Sequence, residues 1–118
     1  MEKNDSVLIC KRSTFIDKKV KIGQNVIIYE NNRIEGDSVI EDNVTIFPNS
    51  FIVNSIIGKG SKIYSSYIEN SKLGERCHIL PFCCLKRVSV ESGVAIPSFS
   101  EFKQKNITRE SIKKKINK

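Results

Sequence analysis

Ile16-Asp17-Lys18-Lys19-Val20-Lys21-Ile22-Gly23-Gln24-Asn25-Val26-Ile27-Ile28-Tyr29-Glu30-Asn31-Asn32-Arg33-Ile34 carries an isoleucine at every sixth position. Ile40, Ile46 and Ile52 continue the series. Steps of five or six residues then carry it to Ile107, with Phe102 as its one aromatic member. A helix repeats every 3.6 residues and a half-buried strand every 2, so neither produces this interval. A second column confirms the register. Two residues before each anchor stands a small or β-branched residue, as in Val20, Val26, Ser38, Val44, Ser50, Ser61, Cys77 and Cys83. Asn32 is its one larger polar member. The column keeps phase through the five-residue steps, so it is tied to the anchor that follows. Residues two apart on a strand point to the same side, so both columns face inward.

Glycine, asparagine and aspartate fill the intervals at Asn25, Asn31, Gly36, Asp42, Asn49, Asn54, Gly60, Asn70 and Gly93. These residues tolerate tight corners and positive φ. A short strand, a corner and another short strand, repeated, is a parallel β-helix of hexapeptide repeats. With three hexapeptides per coil, the seventeen anchors give five to six coils of an all-β, single-stranded prism. Residues 1–107 form this β-helix and residues 108–118 a basic tail. Both open ends expose strand edges and need covers. Residues 1–10 are available for one end. The stretch Thr108 to Ile116 reads as a helix for the other, with Thr108 as N-cap and Ile112 and Ile116 turned to the coil.

The charge is unevenly placed. The chain of 118 residues has a net charge of +7, and residues 103–118 alone carry seven basic groups against one acidic. The β-helix itself is nearly neutral. A nucleic-acid domain spreads cations over a face and interleaves aromatics, so nucleic acid is not the expected partner. No run approaches the length of a membrane span, so no membrane association is expected. Met1 to Asp5 lacks the pattern of a secretory signal. Together with four cysteines, this points to a reduced, cytoplasmic protein.

Few residues offer chemistry. Cys77 and Cys83 fall in the small inward column and already have a structural place, so no metal site is expected. Cys84 should point outward and be the one modifiable thiol. His78, the only histidine, also points outward and has no orienting partner nearby in the sequence, so no catalytic base is assigned. Lys86 and Arg87 directly follow the anchor Leu85, and Lys103 directly follows Phe102, three anchors later. These cations should stack on one prism edge. That arrangement suits an anion such as a sugar phosphate; spacing alone also fits ordinary corner charges.

Several segments resemble one family. They are Val20-Lys21-Ile22-Gly23, Ile34-Glu35-Gly36-Asp37-Ser38-Val39-Ile40, Val53-Asn54-Ser55-Ile56-Ile57-Gly58, Tyr67-Ile68-Glu69-Asn70-Ser71, Leu80-Pro81-Phe82-Cys83-Cys84-Leu85-Lys86 and Phe99-Ser100-Glu101-Phe102-Lys103. The chain resembles the C-terminal domain of the bifunctional N-acetylglucosamine-1-phosphate uridyltransferase/glucosamine-1-phosphate N-acetyltransferase, over about residues 7–107. The resemblance implies a left-handed coil, a homotrimer, and a place in UDP-N-acetylglucosamine synthesis for the cell wall. By position it implies substrate binding by Lys86 and Lys103, with Arg87 beside them. The family has Arg where this chain has Lys86, and a lysine lacks the arginine fork. Pro97 and Ser98 replace the family's Gly and Asn, and the loop between Leu85 and Ile96 is one residue shorter. The family's catalytic histidine and acetyl-CoA coils lie downstream of its lysine and have no counterpart here. The expectation is therefore a relative shortened at both ends. It keeps a trimeric scaffold and part of a sugar-phosphate site, and acts as a scaffold or with a partner chain. The alternative is an active acyltransferase using acetyl-CoA on an amino-sugar phosphate or nucleotide sugar.

Overall fold

A computed structural model describes residues 7–116. Within them, sixteen strands and one helix form a left-handed parallel β-helix of six coils, 48 × 25 × 20 Å. Every strand pairs in parallel with strands one coil away, and the prism has three faces. The first face stacks Leu8–Ile9, Ile27–Ile28, Thr45–Ile46, Lys62–Ile63, His78–Ile79 and Ala95–Ile96. The second begins with Phe15–Ile16, Arg33–Glu35, Phe51–Val53 and Tyr67–Glu69. The third begins with Lys21–Ile22, Val39–Ile40, Ile56–Ile57 and Lys72–Leu73. In the last two coils, Cys84–Val90 and Glu101–Ile107 run through the vertex and serve the second and third faces in turn. The sequence pattern predicts separate short strands there; instead the ladder continues on both sides of a one-residue turn.

The inward columns explain the fold. From Ile28 to Ile96 the anchors are essentially without solvent exposure. Each contributes roughly 1.5–3 kcal/mol by leaving water. The small column does more than leave room. Ser55 N–H donates to Ser38 Oγ, Ser71 N–H to Ser55 Oγ and Val88 N–H to Ser71 Oγ, at 3.2, 3.0 and 3.0 Å. A parallel run of bonds joins Ser66 N–H to Ser50 Oγ and Cys83 N–H to Ser66 Oγ, both at 3.1 Å. Each of these serines, Ser38, Ser50, Ser55, Ser66 and Ser71, thus satisfies an amide one coil further on. A buried amide left unpaired would cost about 1–3 kcal/mol. Asn32 fits the column because its amide is fully used. Nδ2 donates to the carbonyls of Tyr29 and Ile46, and Oδ1 accepts from Ser50 N–H at 2.8 Å.

The corners change character along the axis. Through the fourth coil the positive-φ positions are held by Ser13, Asn25, Asn31, Asn43, Asn49, Asn54, Ser65 and Asn70, with Gly36 and Gly60. Beyond it they are held by Arg76, Phe82, Arg87, Phe99 and Gln104, with Gly93. Left-handed backbone is easy for Gly and Asn and strained for larger residues. Gly58 answers a different need. A Cβ there would lie 2.2 Å from the carbonyl oxygen of Gly74 on the next coil.

The ends close differently. The ladder starts one rung earlier than the isoleucine series suggests, because Ile9 pairs with Ile28 across a seven-residue step to Ile16. The anchors Ile9, Ile16 and Ile22 are only partly buried. At the other end the helix Arg109–Ile116 caps the last coil. Ser111 N–H donates to Thr108 Oγ1 at 3.1 Å, and Arg109 N–H donates to Glu91 Oε1 at 2.9 Å. Ile112 is buried against the core as expected. The expectations for residues 1–6 and for the Ile116 side chain lie outside the described residues.

Candidate functional site

The sequence-predicted cations meet on the second face. Lys86 and Lys103 are direct ladder partners, with Glu69 one rung before Lys86. Strands in a ladder lie about 4.8 Å apart. The outward side chains of these positions therefore form a continuous ledge. Arg87 sits at the vertex itself, exposed, with φ of 54°. The strand partners place Gln104 beside it on the next coil, and Lys105 follows past the turn. Among the described residues none of Lys86, Arg87, Lys103 and Lys105 forms an ion pair. Lys86 is half-buried, and its Nζ lies over the Tyr67 ring at 5.7 Å. Cation–π contact of this kind holds a lysine without neutralising it.

Tyr67 and Glu69 complete the ledge. They are two residues apart on one strand and point outward together. Tyr67 Oη–H donates to Glu69 Oε1 at 2.6 Å, and Asn70 Nδ2–H donates to Oε2 at 3.4 Å. The bond to Glu69 raises the phenol above its ordinary value, helped by burial and by the carboxylate's charge. Both lie in one of the segments that carry the family resemblance, but the resemblance gives neither a site role. The signal that finds them is arithmetic: Glu69, Lys86 and Lys103 are spaced by seventeen residues, as are Asn70, Arg87 and Gln104.

The other candidates fall elsewhere. His78 is exposed on the first face, between Lys62 and Ala95, away from the lysine ledge. Cys77 and Cys83 are buried, and their thiols contact the carbonyls of Glu91 and Pro97 at 3.2 and 3.1 Å. Burial pushes both thiols up. Cys84 is half-buried beside Tyr67 on the ladder, whereas Cys10 is exposed. The expectation that Cys84 is the one modifiable thiol is corrected: Cys10 lies on the thinly covered first coil and is the more open. No helix among the described residues is long and apolar enough to cross a membrane.

A six-coil left-handed prism built on a hexapeptide period defines a hexapeptide-repeat β-helix domain. The chain belongs to the family described as the GMPPB C-terminal domain, whose model matches residues 4–116. It is also similar to the bifunctional protein GlmU of Clostridium acetobutylicum, 37% identical over 105 residues, covering 88% of this chain and 23% of that protein. The GlmU proteins of Clostridium beijerinckii and Clostridium kluyveri match over the same shares at 36% and 33% identity. The chain thus spans about a quarter of the length of these relatives.

Proposed function

We propose that this β-helix binds the phosphate of an amino-sugar phosphate or nucleotide sugar on the ledge of Lys86, Lys103 and Arg87. In this reading it serves as a trimeric scaffold of UDP-N-acetylglucosamine synthesis in the cytoplasm. A partner chain supplies the base and the acetyl-CoA pocket. The observation that carries the reading is the adjacency of Lys86 and Lys103 with no carboxylate pairing either. Two unpaired cations one rung apart suit the oxygens of one phosphate. The position of His78 on another face supports a base supplied from outside. Four free thiols fit a reducing compartment.

Calorimetric titration of the full chain with glucosamine 1-phosphate tests the ledge. Saturable binding that is abolished by Lys103→Ala and falls with added salt is expected. No heat from folded protein overturns the reading. Coenzyme A release from acetyl-CoA by the chain alone would overturn the partner requirement and establish an active acyltransferase. Sedimentation as a monomer of 13.4 kDa would remove the trimer.

A further inference from the structure

Glu69 and Glu101 are the acidic members of the lysine ledge. Glu101 stands exposed two residues before Lys103, whereas Glu69 is held in place by hydrogen bonds that leave its charge unspent. The second coil provides a direct comparison. There Arg33 Nε donates to Glu35 Oε2 from the same two-residue spacing on the same face, so the Glu35 carboxylate is neutralised by a cation. In the fourth coil a phenol takes the place of that guanidinium. Tyr67 fixes Glu69 Oε1 and Asn70 contacts Oε2, and both donors are neutral. The nearest cation on the ladder is Lys86, one rung away. It forms no ion pair with Glu69 and rests over the Tyr67 ring. A carboxylate offers about four acceptor positions, and only two are used here. The ledge therefore presents an oriented, uncompensated negative group beside two uncompensated positive ones.

From this charge order we infer that Glu69 is a specificity residue that reads a protonated amine next to the phosphate; the inference rests on the sugar-phosphate reading of the ledge. The ligand class is a zwitterion. Its phosphate lies on Lys86 and Lys103 and its ammonium on Glu69. Adjacent rungs are about 4.8 Å apart, a spacing suited to an amine and a phosphate on neighbouring ring carbons. Glu69 touches the ligand's amine, and Tyr67 acts through Glu69 as a positioning residue. A sugar phosphate carrying a hydroxyl or an acetamide in place of the amine loses the ion pair and leaves the anion contacts unchanged.

The test is a calorimetric comparison of glucosamine 1-phosphate with glucose 1-phosphate on the full chain. The wild type is expected to favour the amino sugar by about fivefold, the effect of one half-exposed ion pair. Glu69→Gln should abolish that preference while glucose 1-phosphate binds at least as tightly, since a carboxylate beside the phosphate is removed. Tyr67→Phe should reduce the preference in part, because the carboxylate keeps its charge and loses its fixed position. The preference should also fade in alkaline buffer as the ligand's ammonium loses its proton. Equal binding of both sugars by the wild type overturns the amine reading alone. So does a Glu69→Gln variant that retains the preference. Failure of the wild type to bind either phosphate overturns the ledge reading and this inference with it.

Discussion

Asn70 and Arg87 occupy the same vertex on successive coils, with φ of 50° and 54°. Asparagine is at ease there and arginine is not. The left-handed region costs an ordinary L-residue roughly 1–2 kcal/mol. An arginine held in it projects outward beside Lys86. Replacing Arg87 by Asn should therefore stabilise the fold by about 1 kcal/mol, seen as a melting temperature about 4 °C higher, while weakening sugar-phosphate binding. A variant with unchanged melting temperature would show that the arginine backbone is not strained.

The serine ladder predicts a different loss. Ser71→Ala removes the acceptor for the buried Val88 N–H. It should destabilise the chain by about 1–3 kcal/mol, read as a lower urea midpoint. Ser71 Oγ also donates to Glu69 O at 2.9 Å, so the strand carrying the ledge should loosen with it. Cysteine at position 71 should restore much of the stability, since Cys77 and Cys83 stand in the same column with their thiols against carbonyls.

Gly58→Ala tests close approach rather than backbone freedom. The added methyl would meet the Gly74 carbonyl from the next coil, and backbone on one side must move. A cost of about 1–3 kcal/mol is expected. Hydrogen exchange should show it spread over the third and fourth coils of the third face.

The buried thiols contribute to the alkaline limb of stability, as does the raised Tyr67 phenol. Cys77 and Cys83 are raised by burial above the ordinary value of 9.0. Their contribution is fully present below pH 9.0 and is lost as pH rises through the higher folded values. A Cys77→Ala, Cys83→Ala double variant should show a flatter fall in melting temperature above pH 9.0, though from a lower starting point.

Ile112→Ala tests the cap. Its side chain is 7% exposed and packs against the last coil. Truncation should cost about 2 kcal/mol and raise hydrogen exchange in the strand Glu101–Ile107.

Much of this was legible in the residues because a solenoid writes its geometry at a fixed interval. The isoleucine column gave the buried axis, and the stacking of Lys86 on Lys103 followed from counting anchors. What stayed hidden depends on direction and depth. Ile9 lies seven residues before Ile16, so a six-residue search passes over it. The serines read as small residues, and their role as acceptors appears only when the amide of the next coil lies within reach. Tyr67 and Glu69 look like ordinary strand residues, because their bond is made on the outer surface, where the hydrophobic period carries no information. The corner residues of the last two coils were equally silent: composition does not mark φ, and an arginine or phenylalanine at a left-handed turn looks like any other surface residue.

The two ends of the prism are unequal. The first coil has half-covered anchors, whereas the last is closed by a helix tied to it through Thr108, Glu91 and Ile112. In a stack each coil leans only on its neighbours, so the cover over one end is felt first by the coil beneath it. The lysine ledge lies in the two coils next to that cover, and the helix braces the same strand that carries Lys103.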